Sequence, residues 1–277
     1  MSNSKTLGFS LIELIVVIVI VGILATMTTS IITLPVNSYL DLQRRTTLVD
    51  TAELTLRRMQ RDIRRAVPNS VRITGGGTVI EMLHIKEGGR YRAQQDTTPS
   101  AVTAGCGSLA NDVLDFTTVD TCFEVTGSLK VFNPLATAAE SLVISNLGGV
   151  SADAYAGSNR TTVTNSSNAK VIALNPGLRF PFSSPQQRFF IVDTPITYRC
   201  TSSNRLLRYS GYTISAAQPN PPGVTGQIQA DKIASCLFTY SPGSASRSGL
   251  VTLTITLTDA KGELVQLMHQ VHVDNLP

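Results

Sequence analysis

Three rhythms of apolar and polar residues follow one another along the chain. In the first, residues 14–25 are all apolar or glycine, and residues 9–27 carry a single charge, Glu13. As a helix these 19 residues span about 28 Å, close to the roughly 30 Å hydrocarbon thickness of a bilayer. A β-branched run can also be a buried strand, but this one is far too long for that. In the second rhythm, Leu48, Ala52, Leu56, Met59, Ile63 and Ala66 recur every three or four residues, one face of an amphipathic helix. Pro35 is expected to interrupt or kink the helix at the membrane exit, and Pro68-Asn69-Ser70 to stop it. A helix continuous from Phe9 to Val67 would hold 59 residues.

From Val71 onward the period falls to two. Strands are predicted over 78–86 and 91–94, joined as a hairpin by Glu87-Gly88-Gly89-Arg90. Others are predicted over 113–118, 122–126, 142–146, 188–200, 205–209 and 236–240. The clearest is 251–258, where Val, Leu and Ile alternate strictly with Thr, so one face is buried and one solvated. Asp259-Ala260-Lys261-Gly262 turns it back into 263–273, an antiparallel hairpin. Residues 97–112 and 218–223 read as loops, the latter too rich in proline for a central strand. With no repeat and no linker, the fold class is α+β. A long N-terminal helix, half transmembrane and half amphipathic, packs on one antiparallel β-rich head of about 200 residues.

Glu13 decides what the apolar helix is for. A cleaved secretory signal would carry its charge before the apolar stretch, and a plain anchor would avoid a carboxylate costing about 2.5–3.5 kcal/mol at mid-bilayer. The run Gly8-Phe9-Ser10-Leu11-Ile12-Glu13-Leu14, followed by the apolar stretch, closely resembles the class III signal of type IV pilins and type II secretion pseudopilins. The resemblance implies that a prepilin peptidase cuts between Gly8 and Phe9 and that Phe9 is then N-methylated. Glu13 would be an assembly residue, its carboxylate meeting the amino terminus of a neighbouring subunit. It also implies a leader at 1–8, a transmembrane helix half at 9–34, an amphipathic half at 35–68 and a periplasmic or extracellular head at 69–277. The partners implied are the peptidase, other minor and major pilins, an inner-membrane assembly platform, and the inner membrane itself before assembly.

Residues 56–72, Phe190-Ile191-Val192-Asp193-Thr194-Pro195, Tyr198-Arg199-Cys200 and His272-Val273-Asp274-Asn275 narrow the likeness. They are similar to large minor pilins of the J/W type, and in particular to O-type biogenesis subunits of mannose-sensitive haemagglutinin (MSHA) pili. Such subunits join sibling minor pilins near the filament tip. J-type pseudopilins of type II secretion and tip adhesins or DNA-binding tip pilins are the alternatives. Cys106, Cys122, Cys200 and Cys236 all fall in the head, which the signal places outside the cytoplasm. An even count there implies two disulfides, with three connectivities; near neighbours favour Cys106–Cys122 and Cys200–Cys236.

Charge sharpens this picture. The net +4 is unevenly spread: residues 1–67 hold eight basic and five acidic side chains, and the remainder fifteen and fourteen. Arg57, Arg58, Arg61, Arg64 and Arg65 crowd the end of the stalk, a solvated face favoured near a helix C-terminus or a patch for nucleic acid or another acidic partner. Trp is absent and aromatics are 6%, which leaves few platforms for stacking bases. Nothing positive argues for an enzyme or a cofactor. His269 and His272 lie three apart on a strand, on opposite faces, so His269 reads as a hydrogen-bonded core residue; His84 stands alone. Ser167-Asn168-Ala169-Lys170 fits S-x-x-K without companion motifs, and the cysteine spacing lacks the CxxC pairs of a zinc site.

Overall fold

The computed structural model describes residues 8–94, 112–130, 140–149, 151–164, 167, 169–243 and 248–273. It is α+β, with two compact units, residues 1–50 and 51–277. Among the described residues the one α-helix, α1, is Leu11–Arg64 and runs through Pro35. The expected interruption there does not occur: proline removes one amide donor, and the turns on both sides remain helical. At its far end α1 stops three residues before Val67, because β2 claims the backbone that follows. The Ile85 amide donates to the Arg65 carbonyl (2.8 Å), and the Val67 amide to the Leu83 carbonyl (2.9 Å).

Among the described residues the head is built on three antiparallel arrays. The largest has the order β1 (Arg72–Thr74), β2 (Val79–Arg90), β7 (Arg188–Cys200), β4 (Ser141–Val143), β5 (Arg160–Thr162). β8 (Leu206–Tyr209) also pairs with β7, and β9 (Gln227–Ala230) with β8. A second array is β10 (Ile233–Ser241), β11 (Gly249–Thr258), β12 (Leu264–Val273); the third pairs β3 (Asp120–Glu124) with β6 (Val171–Leu178). β7 organises the whole. Its first half pairs with β4 and its last residues with β8, while β2 runs along its other side.

One cluster of buried side chains, including Phe123, Ile172, Leu174, Phe189 and Ile191, lies between the β3–β6 pair and the main sheet. Another joins Val67, Leu83, Val143, Tyr155 and Val192. Ala52, Leu56, Met59 and Ile63 on the helix are fully buried, which is what their spacing predicts. Each of the larger three contributes about 1.5–3 kcal/mol of transfer free energy. The Cys200–Cys236 disulfide ties β7 to β10, joining the main sheet covalently to the three-stranded one. Cys122 is disulfide-bonded; Cys106 lies outside the described residues, and the Cys106–Cys122 pairing with it.

Three strand expectations are corrected. Residues 91–94 form no strand: with 87–90 absorbed into β2 there is no hairpin, and Tyr91 makes only an isolated bridge to Val125. Residues 87–90 do not turn; they continue β2, with Gly88 opposite Phe190 and Gly89 opposite Phe189. A Cβ on Gly89 would stand 2.5 Å from the Phe189 ring, so glycine here makes room for an aromatic across the ladder. Residues 113–118 form no strand, because Asp115 captures the local donors. Its carboxylate accepts the Thr117 amide (2.6 Å) and the Thr117 and Thr118 hydroxyls (2.7 and 2.6 Å). These bonds lower its pKa to about 2. The hairpin of β11 and β12 has unbroken register, and β11 alternates strictly between buried and half-buried residues.

Candidate functional site: the amino-terminal segment, and the ion pairs of the head unit

Gly8, Phe9 and Ser10 precede the helix, and the Leu14 amide donates to the Ser10 carbonyl (3.2 Å) to close its first turn. Phe9 is 80% exposed, and nothing lies within 4 Å of where a Gly8 side chain would begin. The described residues therefore make no steric demand for glycine at this position. Glu13 lies in the first helical turn, where unpaired amides and the helix dipole favour an anion. Leu11–Thr28 has a mean hydropathy of 2.7 and none of it is buried against the protein. An apolar surface of this kind, 18 residues long, is out of place in water.

Farther along α1, two carboxylates fasten the helix to different sheets. Asp62 is the lone acid among the five arginines. Its Oδ2 accepts the Tyr198 hydroxyl of β7 (2.7 Å) and Arg208 Nε of β8 (2.8 Å). Burial, then the Asp62 carboxylate, pushes the Tyr198 hydroxyl far above the usual phenol range. Glu53 takes Arg57 Nε on Oε1 (2.7 Å) and lies 3.1 Å from His269 Nε2 of β12 on Oε2. The Arg57 bond, outweighing some burial and assisted by His269, holds the Glu53 carboxyl below its ordinary value. His269 is thus hydrogen-bonded on the inner face as expected, yet still partly exposed, and its partner is a helix carboxylate. Arg58, Arg61 and Arg64 are exposed, and no partner for them occurs among the described residues.

Within the head, Glu81 is fully buried and neutralised. Arg72 Nε donates to its Oε2 (2.6 Å) and the Tyr212 hydroxyl to its Oε1 (3.0 Å), while the Arg72 guanidinium stacks 3.6 Å over Tyr155. Two donors and a cation–π contact offset the cost of burying this carboxylate. His84 Nδ1 lies 2.9 Å from Asp193 Oδ1, and Lys86 pairs with the buried Glu140. A cleft of about 690 Å³ opens where β7 passes from β4 to β8, lined by Arg160, Asp193, Thr194 and Tyr212 among others. Its polar groups already serve one another: Arg160 Nε donates to the Ala154 carbonyl (2.7 Å) and the Gly211 amide to Thr194 Oγ1 (3.2 Å). Ser167, of the S-x-x-K match, exchanges two hydrogen bonds with the backbone of Ala173 and is buried, a loop staple. Among the described residues no three His, Cys, Asp or Glu side chains are placed to hold a metal.

Gly8, Phe9 and the carboxylate of Glu13 thus lie together at one end of an exposed apolar helix. The Asp62, Glu53 and Glu81 networks were not foreseen. Asp62 alone left a signal, an acid isolated among arginines. Residues 3–29 match the family model of the prokaryotic N-terminal methylation motif. No curated protein and no solved structure matches the chain. The motif supports a type IV pilin-like or pseudopilin protein, a class that is structural rather than enzymatic. It implies processing by a prepilin peptidase and assembly with other pilins. With the apolar helix, it fits a membrane-anchored protein that later becomes pilus-associated.

Proposed function

We propose that this chain is a minor type IV pilin that takes part in starting assembly of a surface pilus, from a position in the tip complex. The observation that carries this reading is the methylation motif at the head of an exposed apolar helix. In the proposed sequence of events, the leader 1–8 is removed at Gly8–Phe9 and Phe9 supplies the methylated amino terminus. The helix half 9–34 then leaves the membrane for the filament core. There the Glu13 carboxylate pairs with the amino terminus of a neighbour. In a low-dielectric core, an unpaired carboxylate is costly enough that pairing selects one register between subunits. The amphipathic half, 35–68, carries the head, 69–277, outward. A head of about 200 residues suits a tip better than a tightly repeated shaft. The similarity of the islands around 56–72, 190–200 and 272–275 supports the O-type biogenesis subunit (MshO) of the MSHA pilus as the particular role.

Glu13→Val tests the assembly step. The variant chain should be cleaved normally, giving the mature mass, while surface pili fall in number. Normal piliation at normal protein level would remove the role assigned to Glu13. A deletion strain separates the pilus from its secretion counterpart: the proposal requires loss of pili with exoprotein secretion intact.

A further inference from the structure

Several sheet margins of the head are short, bulged or covered among the described residues. β1, β5 and β9 are edge strands of only three, three and four residues. β10 is bulged against β11 between Ile233 and Ser235, and its other side is approached near Phe238 by Gly77, whose Cβ position lies 3.1 Å from the Phe238 carbonyl oxygen. Short length, bulges and cover are the usual devices by which proteins prevent stray strand pairing. β12 has none of them. It is ten residues long, pairs with β11 through ten consecutive positions without a bulge, and contains no proline, lysine, arginine or carboxylate.

In an antiparallel ladder, alternate residues of an edge strand send their N–H and C=O groups away from the partner. For β12 that makes about five donors and five acceptors along one line. Among the described residues, no hydrogen bond other than those to β11 involves the backbone of this strand. The flanking side chains are also unguarded: Leu264 and Met268 are 63% and 60% exposed, and Gln266, Gln270 and His272 are exposed between and beyond them. Solvent-facing side chains that are apolar or neutral, beside a straight unpaired backbone, select one class of ligand, an extended peptide strand.

We propose that β12 is a strand-pairing edge that is completed by a β-strand from another pilin-type subunit in the same assembly, so that the β10–β11–β12 sheet continues across the interface. This rests on the pilin-type assembly proposed above, which supplies the neighbour. A straight edge fixes register through alternate side-chain pairing, so it orders heads that the helices alone only bring near one another.

The test places the photo-crosslinking residue p-benzoylphenylalanine at Gln266, Met268 or Gln270 of the full chain in its native cell, with Ile228 on the short β9 as the comparison site. The β12 sites should each give an adduct to a different processed pilin subunit, with the linked peptide in a strand, and Ile228 should not. The double variant Gln266→Lys/Gln270→Lys should lose the adduct formed from Met268. An intact Cys200–Cys236 bridge on a non-reducing gel shows that the variant is folded. No adduct from β12, an adduct to a second copy of this chain, or one to a protein outside the pilin class would overturn the proposal. Mature chain and its presence in sheared pili are read from the same cells. If both persist without a β12 adduct, the edge assignment falls alone; if both are lost, the assembly reading falls with it.

Discussion

Asp62→Ala should be among the most destabilising single changes on the stalk, although it removes a charged side chain from an arginine-rich helix end. The substitution deletes one acceptor oxygen that serves two donors at 2.7 and 2.8 Å. The Tyr198 hydroxyl is left in a fully buried residue with no partner, at a cost of about 1–3 kcal/mol. Arg208, 19% exposed, loses its counter-charge but keeps some access to water, so its share is nearer 1 kcal/mol than the 3–5 kcal/mol of a fully buried broken pair. The total is about 2–4 kcal/mol. For a unit of this size, Tm falls by about 2–4 °C per kcal/mol, so a drop of roughly 5–15 °C is expected. Thermal unfolding of the detergent-solubilised full chain, followed by circular dichroism, measures it. Tyr198→Phe alone should cost only about 1 kcal/mol, since Asp62 keeps Arg208. In the Asp62→Ala background the same change should cost nothing further, because the orphan hydroxyl is gone. A Tm within 2 °C of the parent for Asp62→Ala, or strictly additive effects in that cycle, would refute the reasoning.

Three further outcomes follow from the same structure. A bulky residue at Gly8, where the chain itself has open space, should leave folding unchanged and yield an uncleaved precursor; a mature mass in mass spectrometry would defeat this. Gly89→Val should destabilise by about 1–3 kcal/mol through collision with Phe189, and Phe189→Leu should relieve part of it; an unchanged Tm in the single variant contradicts the account. Burial pushes the Asp193 carboxyl up, but the His84 bond and the Thr194 amide outweigh it and hold it below its ordinary value. With the folded pKa depressed, this contribution is present above the unfolded value near 4 and is lost as pH falls through the folded one. His84→Ala should therefore flatten the acid limb of the stability profile below about pH 4 and change its shape little at pH 7; an unaltered acid limb counts against it.

The arginines at the end of α1 acquire a more specific meaning beside these networks. Arg57 returns to Glu53 one turn earlier, and Arg65 Nη2 reaches the Ile85 carbonyl at 3.5 Å. Part of the cluster thus closes off the helix end, while Asp62 is turned away from its arginine neighbours in sequence toward one from β8. Coulomb attraction alone would not select Arg208 over the guanidinium groups adjacent to Asp62 in sequence. The fully buried face on which Met59 and Ile63 sit fixes the helix rotation, and that rotation decides which cation Asp62 meets.

Most of what is local in this protein was already in its sequence. The apolar run, Glu13 at its start, the helical spacing of the stalk and the Val-Thr alternation of β11 each rest on neighbours within one or two turns, where period and sterics are sufficient. What the sequence could not decide depends mostly on residues far apart, and in one stretch on a local competition for backbone donors. Glu87-Gly88-Gly89-Arg90 has the composition of a turn, yet it is strand because Phe189 and Phe190 arrive opposite it from a hundred residues away. Residues 113–118 have the composition of a strand, yet Asp115 diverts their donors into local bonds once Asp120 accepts its own amide at 2.8 Å. The partners of Asp62 and Glu53, and the open margin of β12, exist only when helix and sheets are brought together. Hydrogen-bond geometry and burial are properties of that arrangement, and no periodicity along the chain encodes them.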